Sequence, residues 1–526
     1  MSRTPLFSYL QRTLKLTLFC EEHQVSTTEG NERIAAGQWT RRQFLRTTAG
    51  VIAGTMVGSS VPERLAWGRT APRIVIVGAG GAGLTCAYRL QQKGIAAQVI
   101  EAGSRVGGRM FSLRGAFPDR QLVELGGELI DTGHTALRRL VQELGLTLVD
   151  LRRADGEKTP VFFFDNRRVR QEEMVEAFRP IAKRIQQDLA PLRGQGVTYR
   201  HPRLGQALDR LSIAEWLETR EVSGTLRSLL AAAFLGEFGL EVEEQSALNL
   251  LLMIGTAPGT LELFGDSDER YRIAEGNDSV PTRLAERLTQ PVELDTRLEA
   301  VRRRKNGTYV LTVNQAGTVR DLEADRMVLT LPFSVLREVD LSKVDLPPVK
   351  RLAINTLGYG THTKVMTGFT RRVWHETGSN GSSITDLPCQ GSWDTSRGQE
   401  GTHGILTNFI GGTRGIAAGD GTPEERAAEF VQQSEHVFPG VQAAHTKQAV
   451  RFHWPGARLF RGSYACYKPG QYATIAGAEG EAVGGLHFAG EHTSLAFQGF
   501  MNGAVESGER VAQEILASVG EKRRGW

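Results

Sequence analysis

A glycine-rich turn constrains the fold of this chain more than any other feature. The segment Gly78–Gly83 fits the pattern G-x-G-x-x-G and follows an apolar run, Arg73–Val77. An amphipathic stretch then leads to Gly94, and a second apolar run covers Ala97–Glu101. The order strand, glycine turn, helix and strand predicts a βαβ unit of about 30 residues that opens a dinucleotide-binding domain.

The turn carries the residues that a bound dinucleotide needs. Gly78 permits the tight turn, Gly80 lets the backbone approach a pyrophosphate, and Gly83 allows the helix to pack closely on the strand. The first helical N–H groups then face the phosphates. Glu101 ends the second strand, at the distance expected for a carboxylate that binds ribose hydroxyls, and an acid there disfavours the 2′-phosphate of NADP.

Composition excludes several classes of function. The 526 residues are 40% hydrophobic and 23% charged, as in ordinary globular proteins, and the net charge of +4 argues against a dedicated nucleic-acid binder. The sequence contains no run of about 18 apolar residues, so we predict no membrane-spanning helix.

The histidines follow no metal-ligand spacing, so we predict no metal site. The cysteines are scattered along the sequence, which favours free thiols, although one disulfide bond is not excluded. They are Cys20, Cys86, Cys389 and Cys466.

The N-terminal extension, residues 1–70, carries an export signature. Arg41 and Arg42 lie in the segment Thr40–Leu45, and the stretch Thr47–Val57 is modestly apolar and rich in small residues. This pattern is typical of a twin-arginine signal, which receptors read as an address. We therefore predict export of the folded protein to a periplasm or an equivalent lumen and leave residues 1–70 out of the fold prediction.

Two further motifs narrow the cofactor. In Ser104–Arg109, two glycines lie between two arginines, so backbone donors and guanidinium groups can surround a diphosphate. Near the C-terminus, Leu486–Thr493 contains Gly490 and Glu491, and Gly499–Gly508 follows. Together with Gly78–Gly83, these motifs resemble the flavin-containing amine oxidase family, which includes monoamine, polyamine and L-amino-acid oxidases.

The resemblance implies FAD as the cofactor. It places Glu491 at the ribityl–diphosphate region and the N-terminus of the last helix, from Met501, at the pyrimidine edge of the flavin, where its dipole stabilises negative charge. Leu298 ends Val292–Leu298, which is similar to the family strand whose last residue contacts adenine. The residues predicted to bind FAD are Gly78, Gly80, Gly83, Glu101, Arg105, Gly108, Arg109, Leu298, Gly490, Glu491 and Met501.

The predicted fold class is α/β, with a Rossmann-like FAD-binding domain built from both ends of the mature chain and an inserted α+β substrate domain. The FAD-binding domain is predicted over residues 71–130, 271–332 and 470–520, and the substrate-binding domain over 131–270 and 333–469. Residues 131–270 are predicted to be mostly helical. Asn306 and Gly307 predict a hairpin turn between two strands.

The resemblance also implies a reacting site. Lys364 matches the family lysine that holds a water against flavin N5, and Tyr464 and Phe500 match the two aromatic residues that enclose the substrate amine. Trp454 precedes Ser463 by nine positions, as in the family. Ser463 occupies the position where monoamine oxidases carry a cysteine bonded to the flavin. Because serine cannot form that thioether, we predict non-covalent FAD.

The implied reaction is oxidative deamination. A hydride passes from the α-carbon to flavin N5, the imine is hydrolysed, and O2 reoxidises the flavin to give H2O2. L-amino-acid oxidases place an arginine where this chain has Leu129, although Arg138 or Arg139 could substitute. Acidic side chains favour a cationic substrate, either a basic L-amino acid or a polyamine: Glu128, Asp131, Glu237, Glu241, Glu243 and Glu244.

Other interpretations stay open. A flavin-dependent desaturase or porphyrinogen-type oxidase has the same fold, but Lys364, Trp454 and Tyr464 together favour amine oxidation. An amine dehydrogenase would pass electrons to a quinone instead of O2, and a non-enzymatic FAD-bound protein would not respond to amines. The sequence leaves the oligomeric state open, a homodimer included.

Overall fold

A four-stranded parallel sheet carries the glycine-rich turn. The computed structural model describes residues 72–192, 196–254 and 267–524, so the predicted export signal lies outside the described residues. The strands of this cofactor sheet lie in the order Leu486–Phe488, Arg326–Leu329, Ile74–Val77 and Gln98–Ile100. All four residues of Ile74–Val77 are buried, as expected for a parallel strand covered on both faces. The predicted fold class is confirmed, since strands from both ends of the described chain pair here.

Helices from both ends of the chain pack on the cofactor sheet. The helix Gly81–Gln92 follows the glycine turn directly and contacts the last helix, Met501–Arg524. Their apolar residues share one hydrophobic core with Ile74 and Ile76. Leu137, from the helix Thr135–Glu143, lies in the same core, so this helix of the predicted substrate domain packs against the cofactor sheet.

A second sheet lies beside the first. It is formed by the strands Thr318–Ala324, Tyr309–Gln315, Thr296–Arg303 and Asp340–Lys343, in that order. The predicted hairpin turn at Asn306–Gly307 joins two of these antiparallel strands, and Gly307 has the positive φ of 88° that the turn requires. The strand Asp340–Lys343 extends this sheet beyond the predicted boundary at residue 332. The domain boundaries themselves stay a prediction.

A seven-stranded sheet forms the other large layer. Its strands, in spatial order, are His445–His453, Thr363–Phe369, Gly404–Ile410, Gly391–Asp394, Ser379–Thr385, Thr159–Phe164 and Arg167–Arg168. The pairing of Thr159–Phe164 with Ser379–Thr385 is parallel. The prediction that residues 131–270 are mostly helical missed this strand, because its partner lies more than 200 positions away in the sequence.

The remaining elements connect and cover these sheets. Two small sheets pair Ser112–Leu113 with Val123–Glu124 and Leu148–Asp150 with Tyr271–Ile273. Short 3-10 helices cover Ala190–Leu192, Val373–Thr377, Ala478–Gly480 and Glu491–Thr493. The other α-helices are Leu151–Asp155, Gln171–Leu189, Gln206–Asp209, Ile213–Thr219, Gly224–Phe238, Ala247–Ile254, Ser279–Glu286, Phe333–Leu336, Pro348–Thr356, Gly412–Ala417, Pro423–Val437, Val441–Ala444 and Gln471–Thr474.

Two further predictions concern membrane-spanning helices and the state of the cysteines. Within the described ranges, every helix is too short or too polar to cross a membrane. Cys86, Cys389 and Cys466 are buried free thiols, whereas Cys20 lies outside the described residues.

Candidate active site

A long cleft runs from the glycine turn to the start of the last helix. It encloses about 1290 Å³, part of which is open to solvent. The predicted FAD-binding residues line it, except Gly83 and Arg105: Gly78, Gly80, Glu101, Gly108, Arg109, Leu298, Gly490, Glu491 and Met501. Phe500, one of the two predicted cage residues, also lines this cleft. Segments that lie hundreds of positions apart in the sequence therefore meet around one elongated space.

The glycine turn is shaped by close backbone packing. Gly78 has φ of 105°, and a Cβ atom on it would lie 2.3 Å from Thr330 Oγ1. A Cβ atom on Gly83 would lie 2.0 Å from the carbonyl oxygen of Gly78. Gly83 thus acts through helix–strand packing, as predicted for the third glycine, and does not line the cleft.

Gly80 differs from these two glycines because its neighbourhood is open on the cleft side. The nearest atom to a Cβ on Gly80 would be the Cα of Gly108, 4.0 Å away. The two glycine loops approach each other here, since Gly107 N donates to Ala79 O at 2.8 Å. The absence of side chains at this point leaves backbone surface that a diphosphate can approach.

Glu101 joins the turn to the second strand. Its carboxylate accepts hydrogen bonds from Ala79 N and Gly103 N, each at 2.8 Å. Burial raises the pKa of Glu101, and these two amides oppose that shift. The carboxylate is held at the edge of the cleft, where the sequence predicts the ribose hydroxyls to bind.

Arg109 and Glu491 form an ion pair across the cleft. Arg109 Nη1 lies 2.8 Å from Glu491 Oε1, and it also donates to the carbonyl of Ser463. Glu491 Oε2 accepts from Gly499 N at 2.7 Å. Although burial alone would raise the pKa of Glu491, the charge of Arg109 and these hydrogen bonds hold it below its usual value. The ion pair therefore connects the second FAD motif, Ser104–Arg109, with the C-terminal motif, Leu486–Thr493.

Arg105, unlike Arg109, does not line the cleft. Its guanidinium donates to the carbonyls of Val106 and Gly108, at 3.0 and 2.8 Å. It also lies 3.6 Å from the centroid of the Phe111 ring. Arg105 therefore fixes the conformation of the Gly107–Gly108 loop, and its contact with a diphosphate stays a prediction.

Leu298 lines the cleft, but at a different place in its strand. The sequence predicted a strand ending at Leu298, whereas the observed strand, Thr296–Arg303, begins two residues before it. The register with the neighbouring strand shifts at this point, because Val313 pairs with Leu298 and Thr312 pairs with Ala300. The extra residue, Glu299, also faces the cleft.

The last helix begins at the end of the cleft. Its first residue is Met501, and both Met501 and Phe500 line the cavity wall. The first N–H groups of a helix and its dipole favour negative charge at that end. The ring of Phe500 lies 4.8 Å from the ring of His134 in an edge-on arrangement.

Lys364 lies behind this end of the cleft and is buried. Its Nζ lies 2.7 Å from Glu128 Oε2 and donates to the carbonyls of Glu124 and Gly126, at 2.8 and 3.0 Å. These three acceptors match the three donors of an ammonium group. The backbone of Gly126 packs against that of Arg109, so Lys364 lies one layer from the cleft wall.

Glu128 was predicted as part of an acidic, substrate-attracting surface, but it is buried and its charge is balanced. Besides Lys364, its carboxylate accepts hydrogen bonds from Trp393 Nε1 and Thr395 Oγ1, each at 2.9 Å. Trp393 was not identified from the sequence, since no motif surrounds it. The Lys364 ammonium lies 5.1 Å from the Trp393 ring centroid.

The other two predicted aromatic residues lie in one cluster with Trp393 and Phe409. The hydroxyl of Tyr464 donates to the carbonyl of Glu237, and its ring approaches Gly499, next to Phe500. Trp454 Nε1 donates to Leu125 O at 3.1 Å, and its ring lies 5.1 Å from that of Phe460, which lines the cleft. Trp454 thus supports the wall and does not line it.

Ser463 and His362 form a buried pair beside Tyr464. His362 Nδ1 lies 2.7 Å from Ser463 Oγ, and His362 Nε2 lies 3.1 Å from the carbonyl of Gly236. Burial lowers the pKa of His362 to about 3, so the imidazole is neutral. Its ring stacks between Phe409 and Tyr464, with centroids at 4.1 and 5.0 Å. His362 holds the Tyr464 ring in place.

The remaining charged residues that the sequence predicted near the substrate do not lie together. Glu241 accepts a hydrogen bond from Thr413 N, Glu244 pairs with Lys468, and Glu243 is exposed. Arg138 donates to the carbonyl of Thr132, and the side chain of Arg139 is 72% exposed. Neither arginine lines the cleft, and their role in binding a substrate carboxylate stays a prediction.

The fold and the cleft define a flavoprotein of the dinucleotide-binding class. Two glycine loops, a ribose-side carboxylate, the Arg109–Glu491 pair and a helix N-terminus fit an FAD molecule that spans the cleft. Residues 82–516 match the family described as flavin containing amine oxidoreductase. The chain belongs to this family, and it is an FAD-dependent amine oxidase.

Known proteins agree with this assignment. The chain is 26% identical over 468 residues to an L-amino-acid oxidase of Siganus canaliculatus, covering 85% of each chain. It is 23% identical to the flavin-containing amine oxidase B of Homo sapiens, covering 85% of this chain and 86% of that protein. The solved structure of cyclohexylamine oxidase from Brevibacterium oxydans superposes with a TM-score of 0.74 at 22% identity, over 86% of this chain and 100% of that one.

Proposed function

We propose that this protein oxidatively deaminates a small cationic amine, with non-covalently bound FAD as the electron acceptor and O2 as the final oxidant. The observation that carries the proposal is the convergence of Phe500, Tyr464 and the buried Lys364–Glu128 pair on one end of the cleft. When bound, FAD supplies the two-electron acceptor that takes a hydride from the carbon beside the substrate nitrogen.

The chain's own residues position the substrate and exclude water. Phe500 lines the cleft end, and the Tyr464 ring lies against Gly499 beside it, so that the two apolar rings favour an uncharged, oriented amine next to the cofactor. Lys364 lies one layer behind, paired with Glu128, so the two residues contribute an oriented ion pair and little net charge. The ammonium end of this pair, bonded to the carbonyls of Glu124 and Gly126, stabilises negative charge that develops during oxygen reduction. The ion pair between Arg109 and Glu491 fixes the position of the diphosphate side of the cleft relative to this end.

A direct experiment is product analysis in air. The purified protein would be mixed with putrescine, spermidine, L-lysine, L-arginine, tyramine and L-phenylalanine, and H2O2 and ammonia would be measured. At least one cationic amine is expected to yield H2O2 and the carbonyl product in equal amounts. Carbonyl product limited to about one equivalent per FAD in air, and increasing only when a quinone is added, would favour a quinone acceptor instead of O2, and no product from any amine would contradict the proposed function.

We also infer that the protein is exported through the twin-arginine pathway. The support is the Arg41-Arg42 pair and the small-residue stretch that follows it. A fusion of residues 1–70 to a fluorescent reporter is expected to reach the periplasm, and the double substitution Arg41→Lys and Arg42→Lys is expected to hold it in the cytoplasm. If the doubly substituted fusion still reached the periplasm, the inference would be contradicted.

A further inference from the structure

A buried carboxylate near the cleft end lacks hydrogen-bond partners. Glu269 is only 5% exposed, and neither of its carboxylate oxygens has a partner among the residues that the structure describes. A buried carboxyl group without partners is unfavourable, because folding removes its water and replaces it with nothing. Such an orphaned acceptor indicates a ligand that donates hydrogen bonds.

Other acids surround Glu269. Its backbone N–H donates to Asp131 Oδ1 at 2.7 Å, and the charges of Asp131, Glu237 and Glu128 all act on its carboxyl group. Of the basic groups nearby, Lys364 is paired with Glu128 and Arg397 lies 3.0 Å from Asp155, whereas His134 lies 3.3 Å from Asp131 itself. Glu269, Glu237 and Asp131 are here termed the acidic subsite, and Glu269 contributes two carboxylate oxygens without partners among the described residues.

The acidic subsite borders the two predicted cage residues. The carbonyl of Glu237 accepts the hydroxyl of Tyr464. On the other side, the ring of His134, paired with Asp131, lies 4.8 Å from the ring of Phe500. A substrate held between Tyr464 and Phe500 would thus have these acids within reach of its far end.

We propose that the acidic subsite binds the distal ammonium group of an aliphatic diamine or polyamine, while the proximal amine lies in the aromatic cage. This inference rests on the proposed function and names its substrate class. An ammonium group carries three donors and one positive charge, which matches the two carboxylate oxygens of Glu269 that lack partners in the described part of the chain. Among the described residues, no group of His, Cys, Asp and Glu is arranged to hold a metal ion.

The charged groups near the subsite also favour a diamine over a basic amino acid. An α-carboxylate would need a donor such as a guanidinium. Arg272 is buried nearby, but it donates to the backbone carbonyls of Arg397 and Gly398. Arg397 is itself paired with Asp155, and Arg138 with the carbonyl of Thr132. An α-carboxylate would therefore meet the carboxylates of the acidic subsite, and among these three arginines only Nε of Arg138 is a buried donor without a partner within the described ranges.

Proton release provides a second signature of binding. Burial raises the pKa of Glu269 well above its usual value, and Asp131, Glu237 and Glu128 raise it further, against the opposing charge of Arg397. His134, beside Asp131, and Lys364, beside Glu128, are the other titratable groups that face this cluster. A bound ammonium group favours the ionised carboxylate, so a diamine is expected to release a proton from the cluster at neutral pH.

The test compares putrescine with 1-aminobutane, which has the same chain length and lacks the second amine. Binding of both to the anaerobic FAD-loaded protein, and to the protein stripped of FAD, would be measured by isothermal titration calorimetry in buffers of different ionisation enthalpy. Putrescine is expected to bind about tenfold to a hundredfold more tightly than 1-aminobutane and to release about one proton more than 1-aminobutane does. The substitutions Glu269→Gln and Glu237→Gln are each expected to remove most of this preference and leave 1-aminobutane binding unchanged.

The control is Glu243→Gln, at an exposed position in the turn after the helix Gly224–Phe238, which is expected to keep the full preference. Equal affinity of the unmodified protein for both amines would overturn the subsite, as would equal losses for both amines in Glu269→Gln. Thermal melting of each variant identifies any that fails to fold, and the two separate Gln variants keep the test decisive. Flavin reduction by 1-aminobutane without a diamine preference would overturn the subsite alone, whereas a preference without flavin reduction by any amine would overturn the proposed function alone.

Discussion

Lys364 Nζ lies 2.7 Å from Glu128 Oε2, and both side chains are almost wholly buried. Their partners come from distant parts of the sequence: the carbonyls of Glu124 and Gly126 for the lysine, and Trp393 and Thr395 for the carboxylate. Every donor of the ammonium group is used. This pair links the segment after the second FAD motif to the seven-stranded sheet.

The first prediction concerns the stability of this pair. Glu128→Gln leaves the Lys364 charge buried without a counter-charge, so it is expected to lower the free energy of unfolding by about 3–5 kcal/mol. Denaturant unfolding of the FAD-free protein measures this loss. The matched control is the exposed pair Lys468–Glu244, where Glu244→Gln is expected to cost about 1 kcal/mol or less. Equal effects of the two substitutions would show that the buried pair is not held as described.

The second prediction concerns the role of Lys364 in oxygen chemistry. Lys364→Met removes the positive charge behind the cleft end and is expected to slow flavin reoxidation by about a hundredfold, with much less effect on FAD affinity. Stopped-flow mixing of reduced protein with O2 measures the rate, and Lys468→Met, on the surface, serves as the control. An unchanged reoxidation rate would reject this role.

The third prediction separates two glycines of the turn. Gly83→Ala places a methyl group 2.0 Å from the Gly78 carbonyl, so it is expected to destabilise the FAD-free protein by about 1–3 kcal/mol or more. Gly80→Ala has free space around it in the protein, so it is expected to leave stability nearly unchanged and to weaken FAD binding. Gly133→Ala, which meets nothing within 4 Å, is the control for both. Normal FAD affinity in Gly80→Ala would place the diphosphate elsewhere.

The fourth prediction concerns the bond to the cofactor. Ser463 Oγ is engaged with His362, and serine offers no thiol, so FAD is expected to leave the protein completely on acid precipitation. Absorbance of the supernatant and of the pellet measures the distribution. A yellow pellet that keeps its flavin through washing would mean a covalent link that the site does not explain.

The fifth prediction concerns pH. Lys350 is buried against Phe488, with its Nζ 3.9 Å from the ring centroid, and burial lowers its pKa to about 7. Because the unfolded lysine keeps its proton up to about pH 10.5, unfolding takes up a proton between these values, and the stability contributed by Lys350 rises from pH 7 to 10.5. Lys350→Met is expected to flatten that rise in denaturant unfolding. An unchanged pH profile would contradict the lowered pKa.

The sequence predicts the cofactor half of the molecule well, because its signals are local. The turn Gly78–Gly83 lies between a buried strand and a helix, and these short-range features do not depend on distant pairing. The seven-stranded sheet was missed in part, since the strand Thr159–Phe164 is stabilised by pairing with Ser379–Thr385. Tertiary contacts of this kind override local periodicity.

The same distinction between local motifs and distant contacts applies to single residues. Positions set by a motif, such as Glu101, Arg109 and Glu491, line one cleft. Arg105 does not, because a nearby aromatic ring and two carbonyls offer its guanidinium better partners than the open cleft. The partnership of Glu128 with Lys364 and Trp393 has no sequence signal, since it joins three segments only after folding.

The most direct test of the central claim is anaerobic reduction of the bound flavin by an amine. Purified protein is expected to be yellow and to lose its flavin absorbance when mixed without oxygen with a cationic primary amine such as putrescine, and to regain it when air is admitted. A colourless protein that takes up no FAD, or a yellow protein that no amine bleaches, would contradict the account.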